Sequence, residues 1–169
     1  MAAVPISIER YLSTSWEPEC EYVDGRVADT HVGEPDHSHL MGHMAMLLGE
    51  PGLRPYIMPT TQVRAPRFRV PDVLGLREKP SGRFLRTPPY DVVEVLSTED
   101  RASEFEEKID DYLDFGVDNV WVIDPRRQRM KVCTREGRRF CREISEPTDG
   151  AISIPLTEIF ADMPSIGGE

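Results

Sequence analysis

Cysteine is scarce in this sequence, and long apolar runs are missing. The three cysteines, Cys20, Cys133 and Cys141, are odd in number and lack Cys-x-x-Cys spacing, which disfavours both a disulfide framework and a thiolate zinc site. No stretch approaches the roughly 20 apolar residues of a membrane helix, and the first residues lack the basic and apolar segments of a secretion signal. We therefore expect a cytoplasmic protein that does not contact a membrane.

Lysine is also rare, since Lys79, Lys108 and Lys131 are the only three among 20 basic residues. The formal net charge of −10 argues against a protein that coats nucleic acid non-specifically. The charge is nevertheless uneven: residues 99–118 contain nine acidic and two basic residues, whereas residues 126–142 contain eight basic residues and one acidic residue. The basic segment can form a nucleic-acid surface, although such a run is more often a solvated face.

The length of 169 residues and the hydrophobic content of 39% suit one domain with a sizeable core. We assign this domain to residues 1–164, with a short tail at 165–169. Periodicity and turn residues predict an α+β fold with hairpins at Asp24-Gly25 and Glu136-Gly137. The predicted helices are 6–12, 37–48 (capped by Asp36), 102–115 (closed by Gly116) and 155–160, and the predicted strands after the first hairpin are 55–58, 62–65, 68–76, 90–96, 120–124, 128–134 and 138–143.

Two acidic residues coincide with predicted strands. Asp72 follows Pro71, so its side chain can emerge where a strand ends, which is a typical place for a ligand. Glu94 lies within an apolar run that is typical of a buried strand. A carboxylate there needs a cation or hydrogen-bond donors, because an unpaired buried charge costs several kcal/mol. For Glu94 alone, a functional site and a structural ion pair with an arginine are equally good interpretations.

Lys108 stands among acidic residues on the predicted helix 102–115. Taken singly, it is best interpreted as an i,i+4 partner of Glu104 on a solvated face. At about 100° per residue, however, Lys108 falls on the flank of the apolar stripe beside Tyr112, from where it can reach toward Glu94. Two carboxylates on neighbouring strands can hold a divalent cation, and an ammonium beside them can orient an attacking water. The order Asp72, Glu94, Lys108 is therefore that of a metal-dependent nuclease in outline.

The histidines suggest a different site. His39 and His43 are spaced i,i+4 and could face one metal ion from a helix. The zinc-protease motif places a glutamate directly after the first histidine, whereas Leu40 occupies that position here. Paired histidines without a metal are therefore favoured.

The ordered set of motifs resembles the PD-(D/E)XK nuclease superfamily, and within it the small bacterial "putative restriction endonuclease" proteins long catalogued as a domain of unknown function. Each motif is weak alone, but the ordered set is specific and covers most of the chain. The motifs are Glu21-Tyr-Val-Asp24-Gly25-Arg-Val, His37 at the start of a helix, Pro71-Asp72-Val73, Val93-Glu94-Val95-Leu96-Ser97, Lys108 with Tyr112 and Gly116-Val117, and Val120-Trp121-Val-Ile-Asp124-Pro125.

This resemblance implies a restriction-endonuclease-like core, in which a central mixed β-sheet is flanked by helices. It also implies that Asp72, Glu94 and the carbonyl of Val95 hold Mg²⁺ or Mn²⁺, without an organic cofactor, and that Lys108 lies beside the attacking water. The superfamily's usual lysine, two residues after the glutamate, is replaced by Leu96, so Lys108 would be its displaced substitute. By the same analogy, Glu21 and His37 have accessory roles near the carboxylates.

DNA is the expected substrate of such an enzyme, and a homodimer the expected assembly, because two copies of one site related by a two-fold axis can cut both strands. Two alternatives stay open. One is a catalytically silent nucleic-acid-binding or regulatory module on the same fold, and the other is a protein-interaction domain that uses the acidic helix of segment 99–118. The basic residues expected to contact nucleic acid are Arg126, Arg127, Arg129, Arg138 and Arg139.

Overall fold

The structure, a computed structural model, describes residues 5–30, 34–98, 100–145 and 152–163. The tail predicted at 165–169 lies outside these residues, and the domain boundary at 164 stays a prediction. Helices α1 to α4 are Ile8–Ser13, Pro35–Gly49, Ala102–Phe115 and Leu156–Ile159. Strands β1 to β12 are Cys20–Val23, Arg26–Asp29, Arg54–Ile57, Thr61–Arg64, Arg67–Arg69, Val73–Leu76, Asp91–Val95, Asn119–Asp124, Arg129–Thr134, Gly137–Cys141, Glu143–Ser145 and Ser153–Pro155.

The largest sheet has six strands in the order β10-β9-β8-β7-β6-β3. It is mixed, because β7 and β8 pair in parallel whereas the other neighbours are antiparallel. A parallel pair needs a crossover connection, which α3 supplies between β7 and β8. A second sheet has the order β2-β1-β5-β4, and β11 pairs with β12. The predicted fold class, a mixed sheet flanked by helices with a hairpin near each end, is confirmed.

Helices cover both faces of the large sheet. On one face, buried side chains of α2 such as Leu40 and Met44 share a core with Val93 and Val95 of β7. On the other face, Ile109 and Tyr112 of α3 pack with Val92 and its neighbours. Side chains alternate along a strand, so Glu94 is directed toward α3, on the same face as Val92. No helix in the described part of the chain is long and apolar enough to cross a membrane.

Local signals placed α3 correctly. The helix spans the predicted residues and ends at Gly116, whose φ of 112° is the left-handed conformation that glycine adopts readily after a helix. The prediction for α2 was less accurate: the N-cap is Glu34 rather than Asp36, and Pro35 occupies the first turn. Proline is favoured there because its missing N–H would have no partner in the helix anyway.

The predicted strand 68–76 is wrong, because the chain breaks it into β5 and β6, which belong to different sheets. Pro71 has no N–H to donate to a neighbouring strand, which favours an interruption at this point. The interruption covers Val70, Pro71 and Asp72, where the chain passes from the small sheet to the large one. As a result, Asp72 lies directly before β6, beside the end of β7.

Candidate active site

Asp72 and Glu94 meet at the junction of β6 and β7. Val73 is paired with Val93 in this antiparallel ladder, so Asp72 and Glu94 form the next opposed pair, and opposed side chains lie about 5 Å apart at Cβ. The backbone N–H of Val95 donates a 2.7 Å hydrogen bond to Asp72 Oδ2. Glu94 is only 2% exposed, whereas the Asp72 side chain is 13% exposed. One carboxylate is therefore enclosed, and its neighbour has partial access to solvent.

Lys108 reaches this pair of carboxylates from α3. Its Nζ lies 2.9 Å from Glu94 Oε2, 3.1 Å from the carbonyl oxygen of Val70 and 3.3 Å from Glu21 Oε1. An ammonium has three N–H donors, so these three acceptors use all of them. The alternative pairing with Glu104 is not the one observed. Lys108 is therefore part of the carboxylate cluster and not of a solvated helix face.

Tyr112 holds the other oxygen of Glu94. Its buried hydroxyl donates a 2.8 Å hydrogen bond to Glu94 Oε1, so both oxygens of this carboxylate accept hydrogen bonds from α3. Lys108 and Tyr112 are four residues apart and thus lie on the same side of the helix. The spacing of apolar residues predicted Tyr112 as part of the apolar stripe and did not indicate this polar contact, for which the i,i+4 spacing from Lys108 was the available signal.

The charges in the cluster are strongly coupled. Burial raises the pKa of Glu94 to about 8; Lys108 acts against this shift, and the neighbouring Asp72 adds to it. Burial also acts to raise the pKa of Asp72, but the hydrogen bond from His37 and the charge of Lys108 outweigh it, so that this pKa is lowered. The pKa of Lys108 is raised, because the surrounding carboxylates outweigh its burial. Asp72 is thus ionised, while ionisation of Glu94 depends on positive charge beside it.

His37 and Glu21 approach the cluster from opposite sides. His37, on the first turn of α2, places Nε2 3.3 Å from Asp72 Oδ2. Burial acts to lower the His37 pKa, but its bond to Asp72 outweighs burial and raises it. Glu21, on β1, accepts a 3.1 Å hydrogen bond from the Val70 N–H in addition to its contact with Lys108. The structure therefore brings all five predicted catalytic and accessory residues together, while their roles stay predictions.

Two buried arginines on β5 pair with acidic residues around the site, and one of them, Arg69, contacts Glu21; neither was predicted from the sequence. Arg69 donates to Glu21 Oε2 and to Asp111 Oδ2, each at 2.7 Å. Arg67 donates to Asp111 and Glu107 of α3, and it pairs with Asp24 in the first hairpin. These arginines are only 4–5% exposed. Their alternation with Phe68 was a signal, since residues i and i+2 of a strand share a face.

The five arginines predicted to bind nucleic acid separate into two groups. Arg126, Arg127 and Arg129 lie at or beyond the carboxyl end of β8, the same end of the parallel pair at which Glu94 lies on β7. Arg126 donates to the carbonyl of Ser97, and both Arg127 and Arg129 contact the buried carboxylate of Asp124.

The other two arginines lie farther along β10. Arg138 pairs with Glu106 and Asp110 of α3, which already offset its charge. Arg139 is exposed and, because side chains alternate along a strand, lies on the opposite face from Arg138. The structure therefore places the first group at the same end of the parallel pair as Glu94 and the second group on the outer strand β10.

The chemistry of the carboxylate cluster suits a hard divalent cation, since Asp72 and Glu94 supply oxygen donors next to the backbone of Val95. Burial and, to a smaller extent, repulsion by Asp72 raise the pKa of Glu94, and added positive charge would favour its ionised form. Across the described ranges, no group of three or more His, Cys, Asp or Glu side chains is arranged to hold a metal ion. A bound cation would thus depend on two carboxylates together with backbone oxygen or water.

His39 and His43 stack their rings on α2 and do not belong to this cluster.

The chain is similar to a known protein family and to solved structures. A family model described as "Uma2: Putative restriction endonuclease" matches residues 8–162. Among solved structures, the chain is similar to one titled as a putative nuclease belonging to DUF820 from Anabaena variabilis ATCC 29413, with a TM-score of 0.77 and 18% identity over 93% of this chain and 98% of that chain. At this identity the likeness shows a shared fold. A search of curated proteins found no match.

Proposed function

Because the chain belongs to the Uma2 family of "putative restriction endonuclease" proteins, we propose that it is a metal-dependent nuclease that hydrolyses phosphodiester bonds in DNA. The observation that carries this proposal is the position of Lys108, which bonds a buried glutamate directly opposite a second carboxylate. A structural ion pair alone would explain Glu94 and Lys108, but it would not explain why Asp72 lies beside them and raises the cost of the buried charge.

Asp72 and Glu94 would hold the cation, Mg²⁺ or Mn²⁺, together with the carbonyl of Val95. Such a cation, when bound, supplies a Lewis acid that polarises the phosphoryl group and lowers the pKa of water. Tyr112 orients Glu94 by its bond to Oε1, and His37 orients Asp72 by its contact with Oδ2. The Val95 N–H holds Asp72 Oδ2 beside the end of β7. The metal site would therefore combine Glu94 and Val95 of β7 with Asp72, which directly precedes β6.

Lys108 would serve the reaction through its ammonium, which can stabilise negative charge on the phosphate and orient the attacking water. Its three N–H donors are all engaged, and the contact with Glu21 is the longest of the three at 3.3 Å. This contact is the easiest one to exchange for an oxygen atom of the substrate. The bonds to Glu94 and to the Val70 carbonyl would then keep Lys108 in place while its third donor contacts the substrate.

A second candidate function is a silent nucleic-acid-binding module, and one observation favours it. Leu96 replaces the usual motif lysine, and the substitute, Lys108, is saturated by protein acceptors. If Lys108 never exchanges a partner, the fold could retain the carboxylates and bind nucleic acid without cleaving it. Salt-sensitive binding without turnover would distinguish this function from the first.

The nuclease proposal is tested by incubating supercoiled plasmid with Mg²⁺ or Mn²⁺ and comparing wild type with Asp72→Asn and Glu94→Gln. Asp91→Asn is the matched control, because Asp91 is a buried carboxylate on the same strand but faces the other side of the sheet. We expect nicking by wild type and the control, and none by the two site variants. Nicking by both site variants at the wild-type rate would overturn the assignment.

A homodimer is a further part of the proposal, since cleavage of both strands is most simply achieved by two copies of one site. Sedimentation of the purified protein would test it. If plasmid is only nicked and never linearised by a protein that sediments as a monomer, the restriction-type assembly is excluded while the nuclease chemistry stands.

A further inference from the structure

The outer strand of the large sheet carries an exposed aromatic side chain. In the described part of the chain, β10 pairs only with β9, so its other edge has no neighbouring strand. Phe140, on this strand, is 66% exposed, and the guanidinium of Arg129 lies 4.9 Å from the centroid of its ring. An arginine over an aromatic ring forms a cation–π contact. Arg129 also contacts the carboxylate of Asp124 at 3.2 Å, which offsets part of its charge. The pair therefore presents a flat apolar surface beside a partly neutralised guanidinium.

A groove of about 590 Å³ lies beside this pair, between the β9–β10 hairpin and the start of α4. Part of its lining is apolar and comes from Met130, Cys141 and Leu156. Its only charged lining residues in the described part of the chain are Arg129 and Arg142. A groove with apolar walls and only positive charge is complementary to an aromatic base attached to a phosphate. This local charge is opposite to the net charge of the chain, which is −10.

Strand register connects Phe140 to the carboxylate cluster. Glu94 is opposite Val122, Val122 is opposite Lys131, and Lys131 is opposite Phe140. Opposed residues share a face, and three steps of about 4.8 Å between strands separate Phe140 from Glu94 by about 14 Å. Helix α3 covers the direct path between them, since Val122 packs under this helix and Lys131 pairs with its Glu106. A nucleic-acid contact at Phe140 would therefore lie outside the carboxylate cluster.

A second copy of this chain fits the same edge less well than nucleic acid does. Two β10 strands that paired edge to edge would bring the basic side chains of both copies together, and like charges opposite one another destabilise a sheet. The side chain of Arg142 forms no ion pair with any residue that the structure describes. Phosphate groups would supply the missing negative charge.

We infer that Phe140, with Arg129 and Arg142, forms a base-stacking contact for an unpaired nucleotide of the nucleic-acid substrate, outside the carboxylate cluster. The inference rests on the proposed function and adds to it a class of substrate. Bases within a duplex are already stacked on one another and cannot stack on a side chain. The contact therefore selects single strands, or duplexes with unpaired ends, over blunt duplexes.

The test is fluorescence anisotropy of labelled oligonucleotides without divalent cation, so that no cleavage occurs. Wild type is compared with Phe140→Ala and Arg142→Ala. The matched controls are Ile57→Ala and Arg54→Ala on β3, the opposite edge of the same sheet, where Ile57 is 49% exposed. We expect Phe140→Ala to weaken binding of single strands by about tenfold or more and binding of blunt duplexes far less. Arg142→Ala should reduce the salt dependence of binding, and both controls should bind like wild type.

Three results would overturn this inference. One is equal binding by Phe140→Ala and Ile57→Ala, and another is no binding of single strands by wild type. The third is a loss of binding that accompanies a change from dimer to monomer in sedimentation, which would assign Phe140 to a subunit interface. The nuclease proposal is judged separately by plasmid nicking: binding that depends on Phe140 without any nicking would support the contact and refute the nuclease.

Discussion

The ammonium of Lys108 on α3 lies 2.9 Å from the carboxylate of Glu94 on β7, although the two residues are fourteen positions apart in the sequence. The family resemblance places a lysine two residues after the glutamate, where Leu96 stands in this chain. The observed contact shows how a lysine on the following helix can reach the same carboxylate. We therefore propose that Lys108 takes the part of the usual motif lysine.

Replacing Lys108 by methionine should remove any nicking and also destabilise the protein. The change leaves Glu94 and Glu21 without their shared cation, and breaking a buried pair in this way costs about 3 kcal/mol of unfolding free energy. Urea denaturation measures the loss. Adding Glu94→Gln to the methionine variant should restore much of the stability but no activity. The control, Lys131→Met, removes a partly exposed pair with Glu106 and should cost less than about 1 kcal/mol. Equal losses in the two single variants would argue against a buried cluster.

Replacing Tyr112 by phenylalanine should weaken Mn²⁺ binding, because Glu94 loses the donor that orients Oε1. The expected loss of stability is about 1–2 kcal/mol. Tyr11→Phe is a matched control, since the Tyr11 hydroxyl donates an equally buried 2.8 Å hydrogen bond to the carbonyl of Cys20, in a separate core. Calorimetry should show weaker binding only for the Tyr112 variant. The same Mn²⁺ affinity in both variants would exclude an orienting role for Tyr112.

Replacing Arg69 by methionine should cost about 3–5 kcal/mol, because Glu21 and Asp111 would be left as buried charges without this partner. Chemical denaturation provides the measurement. Arg64→Met removes a half-exposed side chain whose contact with Asp24 is 3.6 Å long, and it should change stability by less than about 1 kcal/mol. If the Arg69 variant were as stable as the Arg64 variant, the network on β5 would not stabilise the fold.

Asp91 makes stability depend on pH. Burial raises its pKa to about 6 from an ordinary value of 3.8, although the hydrogen bond from Trp121 opposes this shift. A raised carboxyl pKa in the folded state means that its stabilising contribution is complete below about pH 4 and is lost as the pH rises through 6. The loss is about 3 kcal/mol, taking 1.36 kcal/mol per pH unit between the two values.

Asp91→Asn removes this titration, because the amide keeps an oxygen for Trp121 and has no charge. The unfolding free energy of wild type minus that of the variant, measured by urea denaturation at several pH values, should therefore fall between pH 4 and pH 7.5. A difference that stays constant over this range would show that Asp91 has an ordinary pKa.

Local signals in the sequence were sufficient for several elements. The Asp24-Gly25 turn has positive φ at both residues, as its residue types indicated, and Gly116 ends α3 where expected. The spacing of apolar residues placed Lys108 on the flank of the helix, close to its observed position. These features depend on residues that are near one another in the chain, which is why they could be predicted.

Features that depend on distant residues were missed. The partners of Arg67 and Arg69 lie about 40 or more positions away in the sequence, and a charged residue gives no local indication of its partner. The break between β5 and β6 depends on two separate sheets, which strand propensity does not describe. The contact between Tyr112 and Glu94 was hidden because a tyrosine in an apolar stripe is usually interpreted by its ring alone.

The central claim is that Asp72 and Glu94 bind a divalent cation, and calorimetric titration of Mn²⁺ tests it most directly. Wild type, Glu94→Gln and the control Asp91→Asn would be titrated at the same pH and ionic strength. We predict one binding site in wild type and in the control, and no measurable binding in Glu94→Gln. No binding by wild type, or equal binding by all three proteins, would contradict the claim and leave the two carboxylates with a structural role only.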